Sequence, residues 1–115
     1  LSWQAYFEQD YIGLDRVSGN RTLLDRELAH LTPARPSICE TRHVTTMLGM
    51  VEAGIGIAAV PAMSMPAGEH SVLRAVPLTD PVVTRTVGLI RLSGRIQSYV
   101  AAELEKLIIE QYPSG

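Results

Sequence analysis

Two short stretches of the 115-residue chain bring cations, hydroxyls and hydrogen-bonding groups close together: Asp15, Arg16 and Ser18 within LDRVSGN, and Arg42, His43 and Thr45 within ETRHVTT. A guanidinium pairs with a carboxylate or similar anion through parallel N–H donors, and free backbone N–H groups at a helix start add to the same attraction. The chemistry open to these residues is recognition of an anion. Catalysis lacks its parts: no GxSxG elbow, HExxH helix, CxxC pair or Walker loop occurs, and His30, His43 and His70 stand apart. Cys39 and His43 fall on one side of an extended segment. They are separated by about four rises of 3.3 Å, roughly 13 Å, which is too far for a thiol–imidazole hydrogen bond. Cys39 is therefore expected to be a buried, inert residue. No metal-ligand spacing is present, and no cofactor is expected.

Gly54, Gly56 and Ala59 in GIGIAA formally match the glycine fingerprint of dinucleotide-binding folds. That fingerprint works only when a strand precedes it and a helix N-terminus follows to hold the pyrophosphate. Here the helical pattern comes first, and Pro61 forbids a helix interior where the required helix would run. The glycines are better explained locally. Gly54 is expected to close a helix in a left-handed conformation, and Gly56 to let the following strand approach that helix.

The elements that position these residues follow from hydrophobic periodicity. WQAYFEQ suits a short helix, and YIGLD a buried strand that stops at the turn and cap residues Ser18, Gly19 and Asn20. Leu24, Leu28 and Leu31 then share one helical face, with Arg21 and Asp25 as an i, i+4 pair on another, until TPARP ends the element. SICETRH reads as a second strand. Val44, Met47, Leu48, Val51 and Ile55 give a further helical stripe, and IGIAAVP a third, buried strand. After the polar loop SMPAGEHS, LRAVPL and TRTVGLIRL read as two more strands. The final helix gathers Ile96, Val100, Leu104, Leu107 and Ile108 on one side. Strand and helix alternate with short connections, which predicts an α/β fold with parallel pairing. In open sheets of that kind ligands bind beyond the carboxyl ends of the strands, where the two polar clusters fall.

Composition narrows the function classes. With 46% hydrophobic residues the chain is too apolar for disorder and long enough for one core. Ten basic against twelve acidic residues give a net charge of -2 with no concentrated basic run, so free-standing binding to nucleic acid is not expected. The lone cysteine gives no sign of an oxidising compartment, and no apolar segment reaches membrane-spanning length. A cytoplasmic location without membrane contact is the expectation. The start at Leu1 suits a piece of a longer protein.

The stretches DYIGLDRVSGNRTLLDREL, RPSICETRHVTTMLGMVEAGIGIAAVPAMSM and VLRAVPLTDPVVTRTVGLIRLSG, with the closing helix, resemble the second part of the effector-binding domain of LysR-type transcriptional regulators. The resemblance covers essentially the whole chain. It implies two Rossmann-like subdomains, similar to type 2 periplasmic binding proteins, hinged by two crossovers around a small effector. Residues 1–9 would end the first crossover, residues 10–82 would form subdomain II, and residues 83–115 would be a strand and helix returning to an incomplete subdomain I. Carried over, Asp15, Arg16, Ser18, Arg42, His43 and Thr45 look like this subdomain's half of the effector cleft. The resemblance further implies a transcription regulator rather than an enzyme, a small-molecule effector and a homo-oligomer, while Arg16, Arg42 and the helix starts point to an anion such as a carboxylate as that effector. DNA would be met only through an N-terminal domain that this chain lacks. A solute-binding protein of a transporter shares the cleft architecture and is the alternative. Such a protein would carry an export signal upstream and no helix-turn-helix.

Overall fold

The computed structural model describes residues 1–66 and 72–113. Strands β1 (Tyr11–Leu14), β2 (Cys39–Thr41) and β3 (Ile57–Ala58) form a wholly parallel sheet in the order β2-β1-β3. Helices α1 (Trp3–Phe7), α2 (Gly19–Glu27) and α3 (Val44–Glu52) complete a mixed α/β arrangement within residues 1–84, and α4 (Tyr99–Gln111) belongs to a second unit, residues 85–115. None of the helices among the described residues is long and apolar enough to cross a membrane.

Alternation along β1 divides the core. Tyr11 joins Trp3, Tyr6 and Leu28 on one face of the sheet, while Ile12 and Leu14 pack with Met47 on the other. Ile12 and Met47 are the most completely buried large side chains, and burial of each contributes roughly 1.5–3 kcal/mol. Cys39 is half-buried against this second cluster, where it acts as a small apolar residue. The consequence for topology is that α2 and α3 lie on opposite faces of the sheet.

The end of α3 is closed as its sequence predicts. Gly54 has φ +77°, its N–H donates to Val51 O at 2.9 Å, and the Ile55 N–H donates to Met50 O at 3.1 Å, the paired bonds of a Schellman cap. Ile55 therefore lies outside the helix and is 46% exposed, rather than completing the apolar stripe. The role expected of Gly56 needs correction. A Cβ there would sit 2.4 Å from the backbone oxygen of Asp10, so the close neighbour is the chain entering β1, not a helix.

LRAVPL and TRTVGLIRL form no strands among the described residues. β-prone side chains do not make a strand unless another edge receives the backbone N–H and C=O groups. One site of pairing exists: Ser2 and Thr79 form a parallel bridge, with the Trp3 N–H donating to Thr79 O at 3.2 Å and the Thr79 N–H to Leu1 O at 2.9 Å. The Trp3 indole adds a bond to Pro81 O at 2.9 Å. Of the polar loop SMPAGEHS, residues 67–71, including His70, lie outside the described residues.

In the second unit, Ser98 caps α4 by accepting the Ala101 N–H at 3.3 Å. Ile96 precedes that cap and so is not part of the helical stripe expected of it. Val100, Leu104 and Leu107 are 75%, 57% and 60% exposed, and no residue of α4 is buried.

Candidate functional site

Two loops leave the carboxyl edge of the sheet side by side, one after β1 and one after β2. Their helices depart to opposite faces, the condition under which a crevice opens at the end of a parallel sheet. The Asp15 N–H continues the ladder to Thr41 O at 3.0 Å, which fixes the register of the two loops.

Asp15 organises the first loop. Its Oδ1 accepts the Val17 N–H at 3.1 Å, and its backbone oxygen accepts the Ser18 N–H at 2.9 Å. Its Oδ2 lies 3.5 Å from an Arg42 guanidinium nitrogen, joining the two loops through a half-exposed ion pair. With Arg42 64% exposed, such a pair contributes well under about 1 kcal/mol and exchanges partners readily. Arg16 is exposed on the same loop and makes no ion pair among the described residues.

Ser18 and His43 stand at the N-cap positions of α2 and α3, and neither side chain makes a capping hydrogen bond. Ser18 is half-buried, His43 is exposed, and Thr45 is exposed in the first turn of α3. Donors at the α3 start are thus left to solvent or a ligand. Cys39 and His43 are not on one strand, because β2 ends at Thr41 and His43 already begins the helix.

Arg21 has a larger part than its i, i+4 spacing suggests. Besides Asp25 at 2.8 Å, its guanidinium donates to Leu14 O at 2.9 Å and meets Glu40 at 3.4 Å, tying α2 to the ends of both strands. The Asp25 hydrogen bond, ahead of the opposing effect of burial, pushes its pKa above the ordinary guanidinium value, so it stays charged. The sequence signals only the Asp25 contact. Glu40 lies 19 residues away, and no local pattern announces that pairing.

A half-open pocket of about 700 Å³ is lined by residues of α2, of the segment 33–37 and of β1. Of the six residues at the strand ends, only Arg16 borders it.

The family described as LysR substrate binding domain matches residues 1–113. Among curated proteins, the chain is similar to the uncharacterized HTH-type transcriptional regulator YbhD of Escherichia coli K12, with 38% identity over 109 residues. That match covers 95% of this chain and 34% of YbhD. It is also similar to the uncharacterized HTH-type transcriptional regulator YfeR of Shigella flexneri, with 36% identity over 111 residues, 96% of this chain and 36% of that protein. The chain spans about a third of the length of these relatives. No solved structure matches it.

Proposed function

The chain belongs to the LysR substrate-binding domain family, and from that premise we propose that it supplies part of the small-molecule sensor of a transcription regulator, recognising an anionic effector at the β1 and β2 loop ends. The observation that carries this reading is the Asp15–Arg42 pair spanning two adjacent loops, each followed by a helix start without a side-chain cap. An effector carboxylate replaces Asp15 on Arg42 and takes up donors at the start of α3, with Thr45 and His43 beside it and Arg16 and Ser18 on the opposite loop. No bond is made or broken; the site recognises rather than catalyses.

In the whole protein, residues 10–82 act as a Rossmann-like subdomain and residues 83–115 return to its neighbour. Effector binding changes the relation of the two, and a DNA-reading part outside this chain responds in a cytoplasmic oligomer. The names of both relatives favour a regulator over a transporter's solute-binding protein.

The test uses the complete effector domain. A panel of small carboxylates is screened by thermal shift, and the best ligand is titrated calorimetrically against Arg42→Ala and Thr45→Val. Each substitution should weaken binding by about 1–3 kcal/mol, the range for hydrogen bonds to a charged group. Unliganded stability should stay nearly unchanged, since Arg42 and Thr45 are exposed. Undiminished affinity in both variants would show that these loops do not hold the effector.

A further inference from the structure

The Leu14–Asp15 peptide, where β1 gives way to the first loop, is gripped at both of its polar atoms. Its N–H donates to Thr41 O at 3.0 Å, and its C=O accepts from the Arg21 guanidinium at 2.9 Å. Beyond it the loop is wired to itself: Asp15 accepts the Val17 and Ser18 N–H groups, and Ser18 O accepts the Thr22 N–H at 3.0 Å. The β2 loop has no such wiring on its side chains. Among the described residues the Arg42 side chain has one partner, Asp15 Oδ2, and the His43 side chain caps nothing. Where Arg42 points in the unliganded site is therefore set by where Asp15 sits.

Asp15 in turn depends on Arg21. Of the ion-paired arginines this is the least exposed, at 28% against 51–73% for Arg26, Arg35, Arg42 and Arg91. Its Nε holds Asp25 on its own helix, while a single terminal nitrogen is shared between Leu14 O and Glu40 Oε1. Glu40 faces Gly13 in the strand register and stands two residues before Arg42. Both strands that carry the site are thus held from one guanidinium. A planar fork of fixed donors can serve three acceptors in this way, whereas an ammonium on a flexible stem presents one compact charge.

We propose that Arg21 is a positioning residue of the strand-end anion site: it touches no effector, but it fixes the Leu14–Asp15 peptide and, through Asp15, the direction in which Arg42 is presented. This rests on the anion reading of that site. When an effector carboxylate takes Arg42, Asp15 keeps its Val17 bond and its clamped peptide, so the β1 loop remains a firm wall for the incoming anion.

The test compares the ¹⁵N-labelled chain with its Arg21→Lys variant, which keeps the positive charge and loses the fork. Amide exchange with water is read by NMR at Asp15 and at Ile57, whose N–H bonds Asp10 O at the other end of β1. Sodium acetate at constant ionic strength is then titrated as the simplest carboxylate probe, followed at the Arg42 side chain and the Thr45 amide. In Arg21→Lys the Asp15 amide should exchange about tenfold faster, the scale of one lost hydrogen bond, with Ile57 unchanged and acetate bound several-fold more weakly. Arg21→Met, read against Arg26→Met for the lost charge, takes its place if the lysine variant does not fold. Unaltered Asp15 exchange in a folded variant would overturn the positioning role whatever acetate does. Equal acceleration at Asp15 and Ile57 would overturn it too, since Arg21 would then support only the fold. Faster Asp15 exchange with undiminished acetate binding would show that the clamp does not serve the site. Absence of any acetate response at Arg42 and Thr45 in the parent would instead overturn the anion reading on which the proposal rests.

Discussion

Alanine at position 56 places a methyl group where the backbone leaves no room. The added Cβ would lie 2.4 Å from Asp10 O and 3.2 Å from Ile38 Cδ1. Asp10 O also accepts the Ile57 N–H at 2.9 Å, the bond that brings β3 onto β1. The Ile38 tip can rotate away, but the carbonyl cannot, so β3 must retreat by about 1 Å to restore ordinary contact. That movement sacrifices the Ile57 bond, about 0.5–1.5 kcal/mol, and adds about 1–3 kcal/mol of displaced packing. Gly56→Ala should therefore destabilise residues 1–84 by about 2–4 kcal/mol, a large part of ordinary domain stability. Two other glycines calibrate it. Gly49→Ala, with nothing within 4 Å in the middle of α3, should stabilise by about 0.5–1 kcal/mol. Gly54→Ala, at φ +77°, should cost about 1–2 kcal/mol. Urea unfolding followed through the buried Trp3 measures all three. A Gly56→Ala variant within about 0.5 kcal/mol of the parent, the lower limit of that single bond, would refute the reasoning.

Two further outcomes are expected. Burial, opposed by the Ala59 N–H hydrogen bond, raises the Tyr6 hydroxyl pKa above its ordinary value, and burial raises Tyr11 likewise. Both phenols hold their protons more tightly folded than unfolded, so stability should be flat below about pH 9 and fall once pH passes the unfolded value near 10. The limiting slope is about 1.4 kcal/mol per pH unit for each group. Tyr6→Phe should reduce that slope and cost about 1–2 kcal/mol at neutral pH, because the Ala59 N–H, 3.0 Å from the hydroxyl oxygen, loses its acceptor; urea midpoints across the alkaline range decide this. The chain should also self-associate through α4, whose Val100, Leu104 and Leu107 are exposed and would each contribute roughly 1.5–3 kcal/mol on full burial. Light scattering behind a sizing column would contradict this if the mass stayed monomeric at every concentration.

Local periodicity made α1, β1, α2 and α3 legible, because the residues forming each are neighbours in sequence. The Gly54 cap was legible for the same reason: a left-handed residue follows directly on the α3 stripe. Long-range pairing was not. Nothing near Gly56 reveals that Asp10 lies against it, and LRAVPL and TRTVGLIRL have strand-forming side chains whether or not an edge exists to receive them. The strand-end clusters could be placed from topology alone, since parallel neighbours must end together. Their internal wiring could not: the Asp15–Arg42 pair spans 27 residues and the Arg21–Glu40 contact 19. The aromatic core cluster was visible only in part, because Trp3, Tyr6 and Phe7 read as a helix face and their meeting with Tyr11 depends on how that helix turns into β1.

The ladder between Ser2 and Thr79, with the Trp3 indole bonded to Pro81 O, sets the two ends of residues 1–84 beside each other in parallel. Mechanically this is a two-strand strap. It bends easily across its flat face, but twisting or shearing it means breaking the Trp3–Thr79 and Thr79–Leu1 bonds. Because the pairing is parallel, the chain leaves Thr79 in the same direction in which it enters at Ser2.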